Sequence, residues 1–227
     1  MTSSSQIQQT QHKKAFEKSN LLALFLCSLA FIFWLALLIY KYFNFGYYDW
    51  DFALYAQVMW SLSHGSLSPS LFAMNFLGNH SEYILFALVP LYLIFSHPLT
   101  LMTLKILSYI TGAYVLFLFA KQKLSAGFAL ILMVLYLIYP ANLYAMLFEF
   151  HPESLAIAFL FLLFYFFQMQ RMIPFYVTMV LTALIKENMP PVIVAFGIYA
   201  LLGRRKNKIR WGMIPIVFGL AIFYDGV

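Results

Sequence analysis

The sequence predicts an all-α, polytopic membrane protein. Three observations carry that prediction. Of 227 residues, 63% are hydrophobic, 20% aromatic and only 10% charged, whereas soluble domains are about half apolar and a quarter charged. Apolar runs of bilayer-crossing length recur along the chain. Basic residues gather in the connections that would share one side. A soluble enzyme, a disordered chain and a nucleic-acid partner are all disfavoured, because no soluble basic face exists to present. The single cysteine, Cys27, lies in an apolar run and supports no disulfide or thiolate metal site within one chain.

The elements follow in chain order. Residues 1–20 form a Ser/Gln-rich segment with Lys13, Lys14 and Lys18, read as a disordered cytoplasmic tail. Residues 21–227 form one transmembrane domain. Its first span, Leu21 to Phe43, is too long for a signal-peptide core and lacks a small-residue cleavage site, so it is a retained anchor. Residues 44–97 form a large outer loop. Within it, Tyr83–Phe95 is apolar but would give only about 20 Å of helix. Counting it as a span would also reverse the side of the Lys121 connection, so it is a re-entrant or juxtamembrane helix. Further spans are expected at Pro98–Ala120, Ala126–Phe148, Ser154–Phe167, Ile173–Ile185, Pro191–Leu202 and from Trp211 onward, seven in all with the first.

Lys121 and Lys123, Arg171, and the run from Arg204 to Arg210, with the tail lysines, hold eleven of the 14 basic residues. The positive-inside rule makes these connections and the N-terminus cytoplasmic, in a cell membrane. Seven of the eight acids then fall outside: Asp49, Asp51, Glu82, Glu149, Glu153, Glu187 and Asp225. Acids contribute little to orientation, so their clustering is a clue to function.

Three acidic motifs stand out. In Tyr47-Tyr48-Asp49-Trp50-Asp51, carboxylates at i and i+2 point the same way in extended backbone. They suit a catalytic base or a hard divalent cation. The competing reading is a helix cap before Phe52–Leu62. Phe148-Glu149-Phe150-His151-Pro152-Glu153 places two carboxylates and an imidazole in one outer turn, all ligand types for magnesium or manganese. A polar turn with Pro152 opening a helix and Glu153 in its first turn is the plainer alternative. Lys186-Glu187-Asn188-Met189-Pro190-Pro191 lies between apolar runs too short to cross a bilayer, so its charges sit at depth or the membrane thins there. The alternative is a self-neutralising Lys–Glu pair.

His64 and His80 fall in Gly-containing turns of the outer loop, where a histidine is more often a turn residue than a ligand. Lys105 lies about two turns into its span and either snorkels to the interface or meets a lipid phosphate. No zincin, nucleophile-elbow, Walker or dinucleotide motif occurs.

On these motifs the chain resembles a family of prokaryotic predicted membrane proteins, domain of unknown function 2079. The matching stretches are Phe45 to Phe52, Gln57 to Trp60, His64-Gly65, Leu77 to His80, Pro90 to Tyr92, His97 to Leu101, Phe148 to Glu153 and Lys186 to Asn188. That family in turn resembles the GT-C glycosyltransferases, with a cytoplasmic N-terminus, outer juxtamembrane helices and acids after the first span and in the next outer loop. The resemblance implies sugar transfer from a polyprenyl-phosphate donor on the outer face. Asp49, Asp51, Glu149 and Glu187 would be catalytic. His80, Lys105 and Lys186 would bind substrate. Asp51, Glu149, His151 and Glu153 would hold a divalent metal, magnesium or manganese. Membrane lipid is the expected partner.

Two departures accompany it. Asn188 stands where the third motif commonly has Asp, and GT-C relatives carry further spans, so the chain is expected to be the front portion of a longer protein. Two other readings remain. Broken helices around Lys186 and Glu187 suit a transporter or flippase subunit, although no inverted repeat is visible. The last is a non-catalytic membrane fragment.

Overall fold

The computed structural model describes residues 3–47, 50–71, 74–203 and 207–225, with side chains described from residue 17 to residue 224 within those ranges. Every described regular element is helical: α1 (Ser3–Phe43), α2 (Trp50–Ser63), α3 (Ile84–Ile94), α4 (Leu99–Ala120), α5 (Ala126–Leu137), α6 (Pro140–Leu147), α7 (Ala156–Gln168), α8 (Met172–Ala183), α9 (Met189–Leu202) and α10 (Ile214–Asp225). The all-α expectation is therefore met. A 3₁₀ turn at Pro152–Leu155 leads into α7, and a π turn at Ile209–Met213 leads into α10.

Helix α1 extends from the apolar span back to Ser3, through the polar N-terminal segment. Its Gln, Lys and Ala residues are good helix formers, and an apolar span already supplies the costly nucleus. Among the described residues, Glu17–Phe43 and Leu99–Ala120 are long and apolar enough to cross a membrane, and the pair α5 and α6, bent by 46°, would make a third. The other apolar runs are helices of 11 to 17 residues. Prolines mark several of the helix starts. Pro140 starts α6, Pro152 opens the 3₁₀ turn, and Pro190 and Pro191 stand in the first turn of α9, all places where a missing N–H costs nothing.

Helix α4 is the centre of the larger core, packing against α1, α5 and α7. Its Leu101, Met102, Ile106, Tyr109, Ala113 and Phe117 are buried. A second core gathers Phe167, Phe175, Ile193 and Trp211 where α7, α8, α9 and the π turn meet. There α9 and the π turn before α10 approach so closely that a Cβ on Gly197 would stand 2.7 Å from the Gly212 carbonyl oxygen.

The connections sort to two ends. Lys121 bonds Asn20, Gln122 reaches the Met169 sulfur at 3.7 Å, and Tyr176 donates to the Arg210 carbonyl at 2.6 Å. The basic connections thus share one end. The three acidic motifs meet at the other, through contacts among α2, the 79–82 segment, the 148–155 turn and the turn after α8.

Candidate functional site

The acidic end is built on the turn after α6. An eight-residue helix leaves its last carbonyls without intrahelical partners, and two lysines take them. Lys41, in the last turn of α1, donates to the Leu147 carbonyl at 2.7 Å and sits 4.5 Å over the Tyr47 ring. Lys105, on α4, donates to the carbonyls of Met146, Phe148 and Glu149 at 3.2, 2.5 and 3.2 Å. Cations at a helix C-terminus also complement its dipole. Lys105 is 3% exposed, and its amine is held by these three backbone carbonyls.

Glu149 is buried and its Oε2 accepts from the Phe52 N–H at 2.5 Å. This carboxylate, distant in sequence, satisfies an open N–H in the first turn of α2, the service expected of Asp51 under the cap reading. Asp51 instead sits within that turn. Its Oδ2 lies 2.9 Å from His151 Nε2. The contact lacks hydrogen-bond alignment, so the buried His151 nitrogen is without a hydrogen-bond partner. The imidazole stacks on Phe148 at 5.5 Å and meets the Tyr55 ring edge-on at 5.8 Å. Asp49 lies outside the described residues.

Lys186 and Glu187 do not neutralise one another. Lys186 Nζ donates to Glu153 Oε1 at 2.6 Å and stands 3.8 Å from Glu82 Oε1. Glu82 also accepts from the Tyr55 hydroxyl at 2.7 Å. Burial pushes the Glu82 carboxyl up to about 7, against the Tyr55 hydrogen bond and the Lys186 charge, which both lower it. Burial raises Tyr55 too, and the adjacent Glu82 charge adds to it. Glu187 accepts from His80 Nδ1 at 2.8 Å and from the Ser81 N–H at 3.0 Å. Burial opposes its charge, but backbone hydrogen bonds and His80 outweigh that and hold the carboxyl below its ordinary value. The Ile84 N–H donates to the Leu184 carbonyl at 2.6 Å, completing the clasp of the 79–84 segment onto the turn after α8.

Glu82 and Tyr55 are the residues that motif reading missed. Glu82 is visible in the sequence as an acid just before a short apolar run, but it belongs to none of the three motifs. Nothing local separates Tyr55 from the chain's other tyrosines. Pro152 and Glu153 do occupy the helix-opening positions that the plainer reading gave them, and Glu153 serves as the Lys186 partner as well.

Beneath these contacts lies a cavity of about 460 Å³. Lys105, Tyr109, Glu149, His151 and Glu153 supply its polar lining, and Met146 and Ile157 belong to its apolar walls. Three buried polar atoms at this lining lack hydrogen-bond partners: the Tyr109 hydroxyl, His151 Nε2 and Glu153 Oε2. Cavities that are mostly apolar with a few convergent polar groups are the usual form of small-molecule sites.

The divalent-metal expectation rests on Asp51, Glu149, His151 and Glu153. Among the described residues, no three His, Cys, Asp or Glu side chains group as a metal set. Glu149 Oε2 accepts from the Phe52 N–H and Glu153 Oε1 from Lys186, and Asp51 and His151 face each other.

A family model described as Predicted membrane protein (DUF2079) matches residues 41–224. No curated protein and no solved structure matches the chain.

Proposed function

We propose that this chain, which belongs to the Predicted membrane protein (DUF2079) family, is a membrane transferase that moves a sugar from a polyprenyl-phosphate donor to a hydroxyl acceptor at the outer face. The observation that carries the reading is the Asp51–His151 pair beside an amphipathic cavity. An imidazole next to a carboxylate is a competent general base, since the carboxylate stabilises the imidazolium that forms. The acceptor oxygen would attack the anomeric carbon while its proton passes to His151. The bond from that carbon to the phosphate oxygen would break, and its electron pair would leave with the lipid phosphate. Lys186 is bound to carboxylate side chains and not to backbone, and it would balance the leaving charge in exchange for its bond to Glu153. No step is routed through a metal.

The likeness of the motifs to GT-C enzymes supports this reading, as do apolar cavity walls suited to a lipid-linked substrate. The test uses the full chain in lipid nanodiscs with a polyprenyl-phosphate sugar labelled in the sugar. Covalent appearance of label in a hydroxyl acceptor, with release of polyprenyl phosphate, is the expected result. In proteoliposomes, movement of the donor across the bilayer without covalent transfer would replace the reading with a flippase.

A further inference from the structure

The cavity below the outer turn has a polarity that restricts what enters it. Its charged lining is one ammonium, Lys105, and two carboxylates, Glu149 and Glu153. The ammonium has no hydrogen left to donate, because three carbonyls hold it. Glu153 keeps one bond, to Lys186 through Oε1, while its buried Oε2 is open. Tyr109, 1% exposed and on the central helix α4, presents a hydroxyl with no partner. Such unmade bonds on buried groups are unfavourable unless a ligand or water supplies them.

A phosphate brought to this lining would meet two carboxylates and no free cationic donor. An ammonium has no lone pair and would leave the Tyr109 O–H without an acceptor. A hydroxyl answers the open atoms of Glu153 and Tyr109, since it can donate to Glu153 Oε2 and accept from Tyr109. The apolar walls at Met146 and Ile157 suit a hydrocarbon stem. We infer that the cavity between the Tyr109 hydroxyl and the Glu153 carboxylate is the seat of the neutral, hydroxyl-bearing group of a lipid-like substrate, and that the substrate's phosphate stays outside it. This rests on the transferase reading and assigns the orientation of the substrate within the site.

The test is photolabelling of the full chain in nanodiscs, with no sugar donor present. The probe is an alkyl glucoside carrying a diazirine on its stem, compared with an alkyl phosphate and an alkylammonium of the same stem. Saturable labelling of residues 144–157 by the glucoside is expected, about tenfold above either charged probe, which is the worth of one good hydrogen bond. Tyr109→Phe and Glu153→Gln should each lower it several-fold. Tyr109→Phe removes a single atom, so it guards against an unfolded Glu153→Gln. Equal or stronger labelling by the phosphate probe, or glucoside labelling indifferent to both substitutions, would overturn the inference. Glucoside labelling without any sugar transfer in the donor assay would sink the transferase reading and leave the cavity's preference standing. Transfer without such labelling would do the reverse.

Discussion

Lys186 and Glu187, neighbours in sequence, take different partners: Lys186 bonds Glu153 in the 148–155 turn, and Glu187 bonds His80 in the 79–82 segment. Two adjacent charges thereby tie two separate segments to one point. Each segment's fate can be tested singly.

Asp51 is expected to matter for chemistry more than for folding. Asp51→Asn keeps the shape of the side chain but cannot stabilise a charged His151. Transfer should fall by roughly 10²–10⁴-fold, the range for losing a positioned acid–base group, with little change in thermal stability. Transfer at the parent rate would remove Asp51 from the mechanism.

Lys105 is expected to be structural. Lys105→Met fills similar volume but leaves the carbonyls of Met146, Phe148 and Glu149 without their donor. Hydrogen bonds from a charged group are worth about 1.5–3 kcal/mol each, and they are not additive. A loss of at least about 3 kcal/mol is expected, read as a lowered midpoint of thermal unfolding in detergent. An unchanged midpoint would show that the turn is held by other contacts.

Glu82 should make stability depend on pH. Its carboxyl is raised to about 7 in the folded chain, so between its ordinary value and about 7 the folded state binds the proton that the unfolded state has lost. That contribution is fully present below the ordinary value and is lost as pH rises through about 7. Stability should therefore fall between about pH 5 and pH 8. The fall is on the order of 3 kcal/mol at most, since a tenfold difference in proton affinity is worth about 1.4 kcal/mol. Glu153, Lys186, His80 and Tyr55 face the same group. The measurement is thus the difference between the parent and Glu82→Gln, which should lack this slope. Parallel pH profiles for the two would contradict the assignment.

Glu187 behaves in the opposite sense. Its carboxyl is held below its ordinary value, so its contribution is present above that value and is lost only as pH falls through the lowered one. Glu187→Gln should loosen the 79–82 segment at neutral pH. Faster hydrogen exchange at the Ser81 amide, which donates to Glu187 Oε2, is the expected reading. An unaltered exchange rate would mean that the Ile84–Leu184 backbone bond alone holds the loop.

Composition and spacing were enough to establish the helical membrane class, because apolar content and charge placement are sums over residues and need no partner. They were also enough to draw attention to Asp51, Glu149, His151, Glu153, Lys186 and Glu187, since ionisable residues stand out against so apolar a chain. They did not show the break at Pro140, where an apolar run that reads as continuous bends by 46° between α5 and α6. Tertiary structure alone decided the pairings. Glu149 caps a helix far ahead of it, Lys105 is spent on three carbonyls, and Glu82 joins Tyr55 and Lys186. The reason is physical: a hydrogen bond is made or lost within a few tenths of an ångström, and that distance is set by how the helices pack, which no local pattern encodes.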